Sequence, residues 1–265
     1  MLSMKLKTFT LLRHKPYLFS AIAIILASIF SSRAAYSQVD YYYGINKKGI
    51  RIGIGGGVDI LHSNWSSNPP EYSGILSIDY DFNPYFSIGV EGNFGYLKGV
   101  DQDAKLAFGS TLILYTAGSV NFKVAVGQFV DYTTKNGFED AIKRIYVGAG
   151  FGEVYSSPTV SPHTNTNIQN PFGDPGFQTG YKFNGNGAVV STGTFPFASL
   201  NLGTNIALRG FLGIDKVDLT PNLQYNYVLS PVFDGFQPNK DTYTGYKVNG
   251  NQNYFVGSVT LRYKF

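Results

Sequence analysis

The sequence predicts an all-β fold, an eight-stranded antiparallel transmembrane β-barrel with short periplasmic turns and long extracellular loops. Three observations predict it. Apolar residues recur at every second place over eight segments, the signature of strands with one oily face and one wetter face. The residues between them are glycine, small polar or charged, which suits an eight-stranded barrel, whose interior is just wide enough for side chains. The connections also sort by length along the chain, as those of membrane barrels do.

At the start of the chain, Lys5, Lys7, Arg13 and Lys15 precede an apolar stretch from Tyr17 to Phe30, and Ala35 and Ser37 supply the small residues of a cleavage site. Residues 1–37 therefore read as a cleaved secretory signal peptide, with the barrel domain over 38–265. The apolar stretch is too short for a spanning helix, since a hydrocarbon core is about 30 Å thick. This segment holds five of the 21 Lys and Arg and none of the 17 Asp and Glu. The rest of the chain carries sixteen basic against seventeen acidic side chains, a net charge of −1, and that balance gives no reason to expect nucleic acid. The chain has no cysteine, which removes disulfide scaffolds and zinc–thiolate sites.

The first strand spans Arg51 to Ile60, with Ile52, Ile54, Val58 and Ile60 opposed by Arg51, Gly53, Gly55, Gly57 and Asp59. Tyr72 to Phe82 and Phe86 to Tyr96 form a hairpin around Asn83-Pro84, a turn signal. In it Leu76, Ile78, Tyr80, Ile88, Val90 and Phe94 oppose Ser77, Asp79, Ser87, Gly89, Glu91 and Asn93. The fourth strand, Leu112 to Val126, sets Val120, Phe122 and Val124 against Ser119, Asn121 and Lys123. A link comes next, in which Phe138 to Lys143 reads as a helical turn. The fifth strand, Arg144 to Tyr155, alternates Ile145, Val147 and Phe151 with Tyr146, Gly148, Gly150 and Gly152. Residues 156–192, rich in Pro, Asn, Gly, Ser and Thr, read as a long surface loop. Thr194 to Leu208 and Val217 to Leu229 are the sixth and seventh strands. In the eighth, Tyr254, Phe255, Gly257, Val259, Leu261, Tyr263 and Phe265 read as the oily face, with Val256, Ser258, Thr260, Arg262 and Lys264 between them. Connections after strands one, three, five and seven are roughly 10, 15, 38 and 24 residues, those after two and six are shorter, and the one after four is the exception.

The polar faces decide which way the barrel is turned. A soluble eight-stranded barrel points its oily face inward, and a membrane barrel points it out. Phe, Tyr, Leu and Ile would overfill so narrow a bore, whereas glycines and mutually paired charges fit it. Asp59, Asp79, Asp81, Glu91, Lys123, Arg144 and Arg262 are therefore expected to form an interior charge network, because an unpaired charge in a low-dielectric interior is costly. Tyr72, Phe82, Tyr85, Tyr96, Tyr155, Tyr225 and Tyr263 are expected in aromatic girdles at the two interfaces.

The run Asp81-Phe82-Asn83-Pro84-Tyr85-Phe86-Ser87-Ile88-Gly89-Val90-Glu91-Gly92-Asn93-Phe94-Gly95-Tyr96 resembles the second hairpin of outer-membrane β-barrel proteins of the Bacteroidetes, a porin-family or OmpA-type barrel. Leu261, Tyr263 and Phe265 are similar to the carboxyl-terminal signal read by the barrel-assembly machinery. The chain departs from the full-length OmpA pattern in that no peptidoglycan-binding domain follows. The resemblance implies a monomer in the Gram-negative outer membrane, in contact with outer-membrane lipid and lipopolysaccharide and, during insertion, with the assembly machinery.

Motifs that carry chemistry are sparse. His62 and His163 fall in predicted loops, and Ser63, beside His62, would face the other way on a strand, so no catalytic triad is expected. Gly53-Ile54-Gly55-Gly56-Gly57 resembles a dinucleotide-binding run but lacks the following helix and ribose-binding acid. No cofactor, metal or catalytic residue is expected. The sequence favours a non-catalytic barrel acting through its extracellular loops. A small or gated porin is the alternative, and a lipid A-modifying enzyme is a more distant one.

Overall fold

A computed structural model describes residues 48–63, 65–83, 85–100, 110–130, 137–161, 187–189, 192–208, 216–238 and 252–265. The expected export segment over 1–37, His163 and most of the 156–192 loop lie outside the described residues. The strands are β1 (Gly49–His62), β2 (Glu71–Asn83), β3 (Phe86–Val100), β4 (Ser110–Ala125), β5 (Ile145–Ser161), β6 (Gly193–Thr204), β7 (Val217–Val228) and β8 (Asn253–Lys264). Each pairs antiparallel with the next, and β8 also pairs with β1, so the eight form a closed antiparallel ring. The seam joins twelve residue pairs, from Arg51 with Lys264 to His62 with Asn253. Closure pairs both edges of all eight strands, the one arrangement that removes sheet edges altogether.

The strand boundaries differ from the sequence reading in both directions: β3 runs on to Val100 and β5 to Ser161, so 156–161, read as loop, pair with β4, while elsewhere local chemistry ends a ladder. β4 stops at Ala125, and Val126–Gln128 wind into a 3-10 turn. β6 stops at Thr204, and after Asn205 only Ile206–Ala207 rejoin the sheet, against β7. His62, expected in a loop, is the last paired residue of β1. The β2–β3 turn is the shortest connection, and Asn83 fixes it by accepting the Tyr85 backbone N–H on Oδ1 at 2.8 Å, as turn asparagines do. The helical turn expected at Phe138–Lys143 is a short helix, α1 (Gly137–Lys143). No helix among the described residues is long and apolar enough to cross a membrane.

The ring has two unlike ends. The short-turn end carries the β2–β3 turn, the link containing α1, and the β6–β7 connection. The long-loop end carries the β1–β2, β3–β4, β5–β6 and β7–β8 connections, and near it Gly187–Val189 pairs with Phe236–Pro238.

Candidate functional site

The bore is layered. At the short-turn end Asp79 receives Lys123 Nζ on Oδ1 at 2.8 Å and has Arg262 Nη1 3.1 Å from Oδ2. Beside it Arg51 Nη2 meets Asp81 Oδ1 at 2.6 Å and Arg51 Nη1 lies 3.5 Å from Asp218 Oδ2. Lys264 Nζ completes the group at 3.1 Å from Asp81 Oδ2. All these residues but Lys264 are buried. Charges so placed persist only when paired and hydrogen-bonded.

Room for the triad comes from glycine. Across the ladder, Gly53 stands opposite Arg262, Gly89 opposite Asp79 and Gly148 opposite Lys123. A β-carbon at Gly53 would lie 2.8 Å from Arg262 Cγ, one at Gly89 2.8 Å from Asp79 Cγ, and one at Gly148 3.2 Å from Lys123 Cγ. Each charged side chain therefore lies over a missing one. Of the glycine run of β1, Gly53 serves this packing, while Gly55 clears Thr260 and Gly57 clears Ser73 and Ser258.

Above the ion pairs is a layer of polar side chains, mostly amides and hydroxyls. Asn121 Oδ1 accepts from Ser199 Oγ and from Asn201 Nδ2, each at 3.1 Å, and Asn222 Nδ2 donates to Asn201 Oδ1 at 3.3 Å. Tyr146 donates its hydroxyl to Asn222 Oδ1 at 3.0 Å. Asn93 Nδ2 donates to Glu91 Oε1 at 3.3 Å and to Gln224 Oε1 at 3.4 Å.

The long-loop half of the bore is apolar, against expectation. Leu61, Ile75, Leu97, Ile113, Tyr115, Val154, Phe197, Val228, Tyr254 and Val256 pack together inside it. Tyr254 thus corrects the reading of β8: it points inward with Val256, and the outer face begins at Phe255. The cause is that both faces of the strands are apolar here, as in Ile60-Leu61, Tyr96-Leu97 and Leu112-Ile113-Leu114, so alternation carries no face information. These doublets are the signal that marks the cluster.

The segment after β7 folds back over this cluster. Phe233 is fully buried, with its ring stacked 5.7 Å from that of Tyr254 and edge-on to Phe195 at 6.2 Å. Its carbonyl accepts Ser156 Oγ at 2.8 Å, and the next carbonyl, of Asp234, accepts Thr111 Oγ1 at 3.2 Å. Gln252 takes the Asp234 N–H on Oε1 at 2.8 Å and donates Nε2 to the Pro231 carbonyl at 2.9 Å. These hydrogen bonds, from Ser156, Thr111 and Gln252, hold the Phe233 segment over the apolar cluster.

The expected network is thus brought together only in part. Asp79, Lys123 and Arg262 meet, Asp81 joins a second group, and Arg51, Asp218 and Lys264 extend the network beyond the expected set. Asp59 is held by hydroxyls instead of a cation among the described residues: Tyr115 donates to Oδ2 and Ser73 donates to Oδ1 at 2.8 Å. Glu91 is engaged by Asn93. Arg144 is turned to α1, where its Nε lies 2.8 Å from Asp140 Oδ2, because it precedes β5 and stands next to that helix. His62 is exposed at the rim. Among the described residues no group of three or more His, Asp and Glu gathers as a metal site would.

The outer wall is the converse of the bore. Ile54, Ile78, Val90, Phe122, Val147, Leu200, Leu223 and Leu261, one from each strand, are half exposed or more. Tyr72, Tyr96 and Tyr155 are exposed toward the long-loop end, and Phe82, Tyr263 and Phe265 toward the other. Tyr225 lies partly covered, its ring 4.9 Å from that of Phe255. Glu153 interrupts this wall, an exposed carboxylate on β5 between Gly118 and Pro196.

No protein-family model matches the chain, and no curated protein matches it. Solved structures do. Neisserial surface protein A is 13% identical, with a TM-score of 0.45, over 82% of this chain and 97% of its own. Ail, the attachment invasion locus protein of Yersinia pestis, is 10% identical at a TM-score of 0.39, over 82% and 99%. The N-terminal β-barrel domain of Pseudomonas aeruginosa OprF is 9% identical at 0.36, over 83% and 100%.

Proposed function

We propose that this chain is an integral outer-membrane barrel with a sealed bore, non-catalytic, which presents its long connections at the cell surface. The observation that carries this reading is the inversion of polarity: an apolar wall exposed on all eight strands around a bore that buries Asp79, Lys123 and Arg262. In water each Å2 of that wall would be unfavourable by about 25 cal/mol. Lipid removes the penalty. Strands of 12 to 17 residues exceed the roughly 9–11 that a tilted transmembrane strand needs. Tyr72, Tyr96 and Tyr155 supply one interfacial girdle, and Phe82, Tyr263 and Phe265 the other.

The short-turn end then faces the periplasm, and the β1–β2, β3–β4, β5–β6 and β7–β8 connections face outward. In this reading residues 1–37 direct export, and Leu261, Tyr263 and Phe265 carry the assembly signal. A sealed bore is favoured over a small porin because ion pairs fill its lower half and a largely apolar cluster its upper half. Membrane fractionation, heat-modifiable gel mobility and planar-bilayer recording test the proposal together. The expected result is an outer-membrane protein whose unboiled form migrates anomalously and shows no unitary currents. Stable ohmic steps would overturn the sealed bore, and recovery in the soluble periplasm would overturn the membrane placement.

A further inference from the structure

The link between β4 and β5 wears its amphipathicity inside out. A surface helix normally turns its apolar stripe to the protein and its charges to water. In α1 the exposed residues are Phe138, at 71%, and Ile142, at 40%, one turn apart on the same face. The buried ones are Asp140 and Lys143.

The charged side is already engaged. Asp140 holds Arg144, the Lys143 ammonium lies 5.4 Å from the centroid of the Tyr85 ring, and Thr204 Oγ1 donates to the Ala141 carbonyl at 2.5 Å. These contacts fasten the helix to the barrel by its polar face, so its apolar face points away from the protein. Directly after the 3-10 turn, Phe129 is 67% exposed, and Val126 continues the outer face of β4 with Phe122. The helix lies against the 3-10 turn that ends β4, so its exposed apolar residues stand beside the end of the apolar wall.

We infer that α1 is an interfacial anchor, with Phe138 and Ile142, and beside them Phe129, inserted at the acyl-chain boundary of the periplasmic leaflet. The occupant is lipid because the patch prolongs the lipid-facing wall and its polar back is bound to the barrel rim. Such elements lie in the plane of the interface, about 5–10 Å into the headgroup and acyl boundary. The inference rests on the proposed membrane placement of the barrel and gives it a second attachment on the periplasmic side.

The absence of cysteine allows a clean test by spin labelling in lipid nanodiscs. Phe138→Cys and Ile142→Cys are compared with Leu200→Cys on the wall and Lys48→Cys as an aqueous control, each checked for heat-modifiable mobility. Collisions with oxygen, which partitions into lipid, and with a water-soluble nickel chelate report the surroundings of each label. Labels at 138 and 142 are expected to match position 200, with oxygen broadening raised and nickel broadening lost relative to position 48. If 200 behaves as lipid-exposed while 138 and 142 follow 48, the anchor is overturned and the membrane placement stands. If 138 and 142 are shielded from both reagents, a protein covers the patch and the anchor is equally overturned. A water-like response at 200 overturns the membrane placement itself.

Discussion

Asp79 lies between Lys123 and Arg262 where none of the three side chains reaches solvent. Removing the carboxylate charge leaves two cations facing each other in a low dielectric, a loss of about 3–5 kcal/mol for a broken buried pair. Asp79→Asn is therefore expected to lower the urea stability of the barrel in lipid vesicles by that amount, measured as a shifted unfolding midpoint. Asp59 provides the contrast. Its partners are the hydroxyls of Tyr115 and Ser73, one on each oxygen; asparagine keeps an oxygen for one of them and the other can turn to accept from Nδ2, so Asp59→Asn should cost only about 1 kcal/mol. Equal losses at the two sites would show that charge pairing does not set the stability of the lower bore.

At the scale of the strand, glycine has two meanings that depend on the face. Gly89 faces inward, and a β-carbon there would lie 2.8 Å from Asp79 Cγ, so Gly89→Ala is expected to destabilise by about 1–3 kcal/mol. Gly118 faces outward with nothing within 4 Å of an added β-carbon, and Gly118→Ala should stay within about 0.5 kcal/mol of the parent. The temperature at which each variant loses its compact gel mobility compares them. The same distinction explains what the sequence disclosed. Alternation in β1, β2 and β3 identifies the inward set, because a polar residue at every second place is a local property. It fails in the upper bore, where apolar doublets hide the face. It also says nothing of partners: Asp79 meets Lys123 and Arg262 through register between separate strands. Arg51 and Lys264 are legible as inward-facing, but their union at Asp81 is not.

For the molecule as a whole, the proposed seal of the bore has two parts, the strand side chains and the segment carrying Phe233. Phe233→Ala is expected to cost about 3–5 kcal/mol, as for a large ring removed from a packed core. Planar bilayers should still record no unitary current from it, since Tyr115, Phe197 and Tyr254 rise from the strands and remain. Currents in this variant would identify the segment as a gate. The seam between β1 and β8 sets a different condition, on how such a molecule is made. Gly53 meets Arg262 across roughly two hundred residues of chain, and the entropy of closing so long a loop rises only as the logarithm of its length. Distance along the chain therefore burdens the rate more than the final stability. Until the seam forms, β1 and β8 each offer a bare row of peptide groups to any neighbour, and the apolar wall has no lipid. The hazard of this architecture is thus concentrated in transit, before it has an inside.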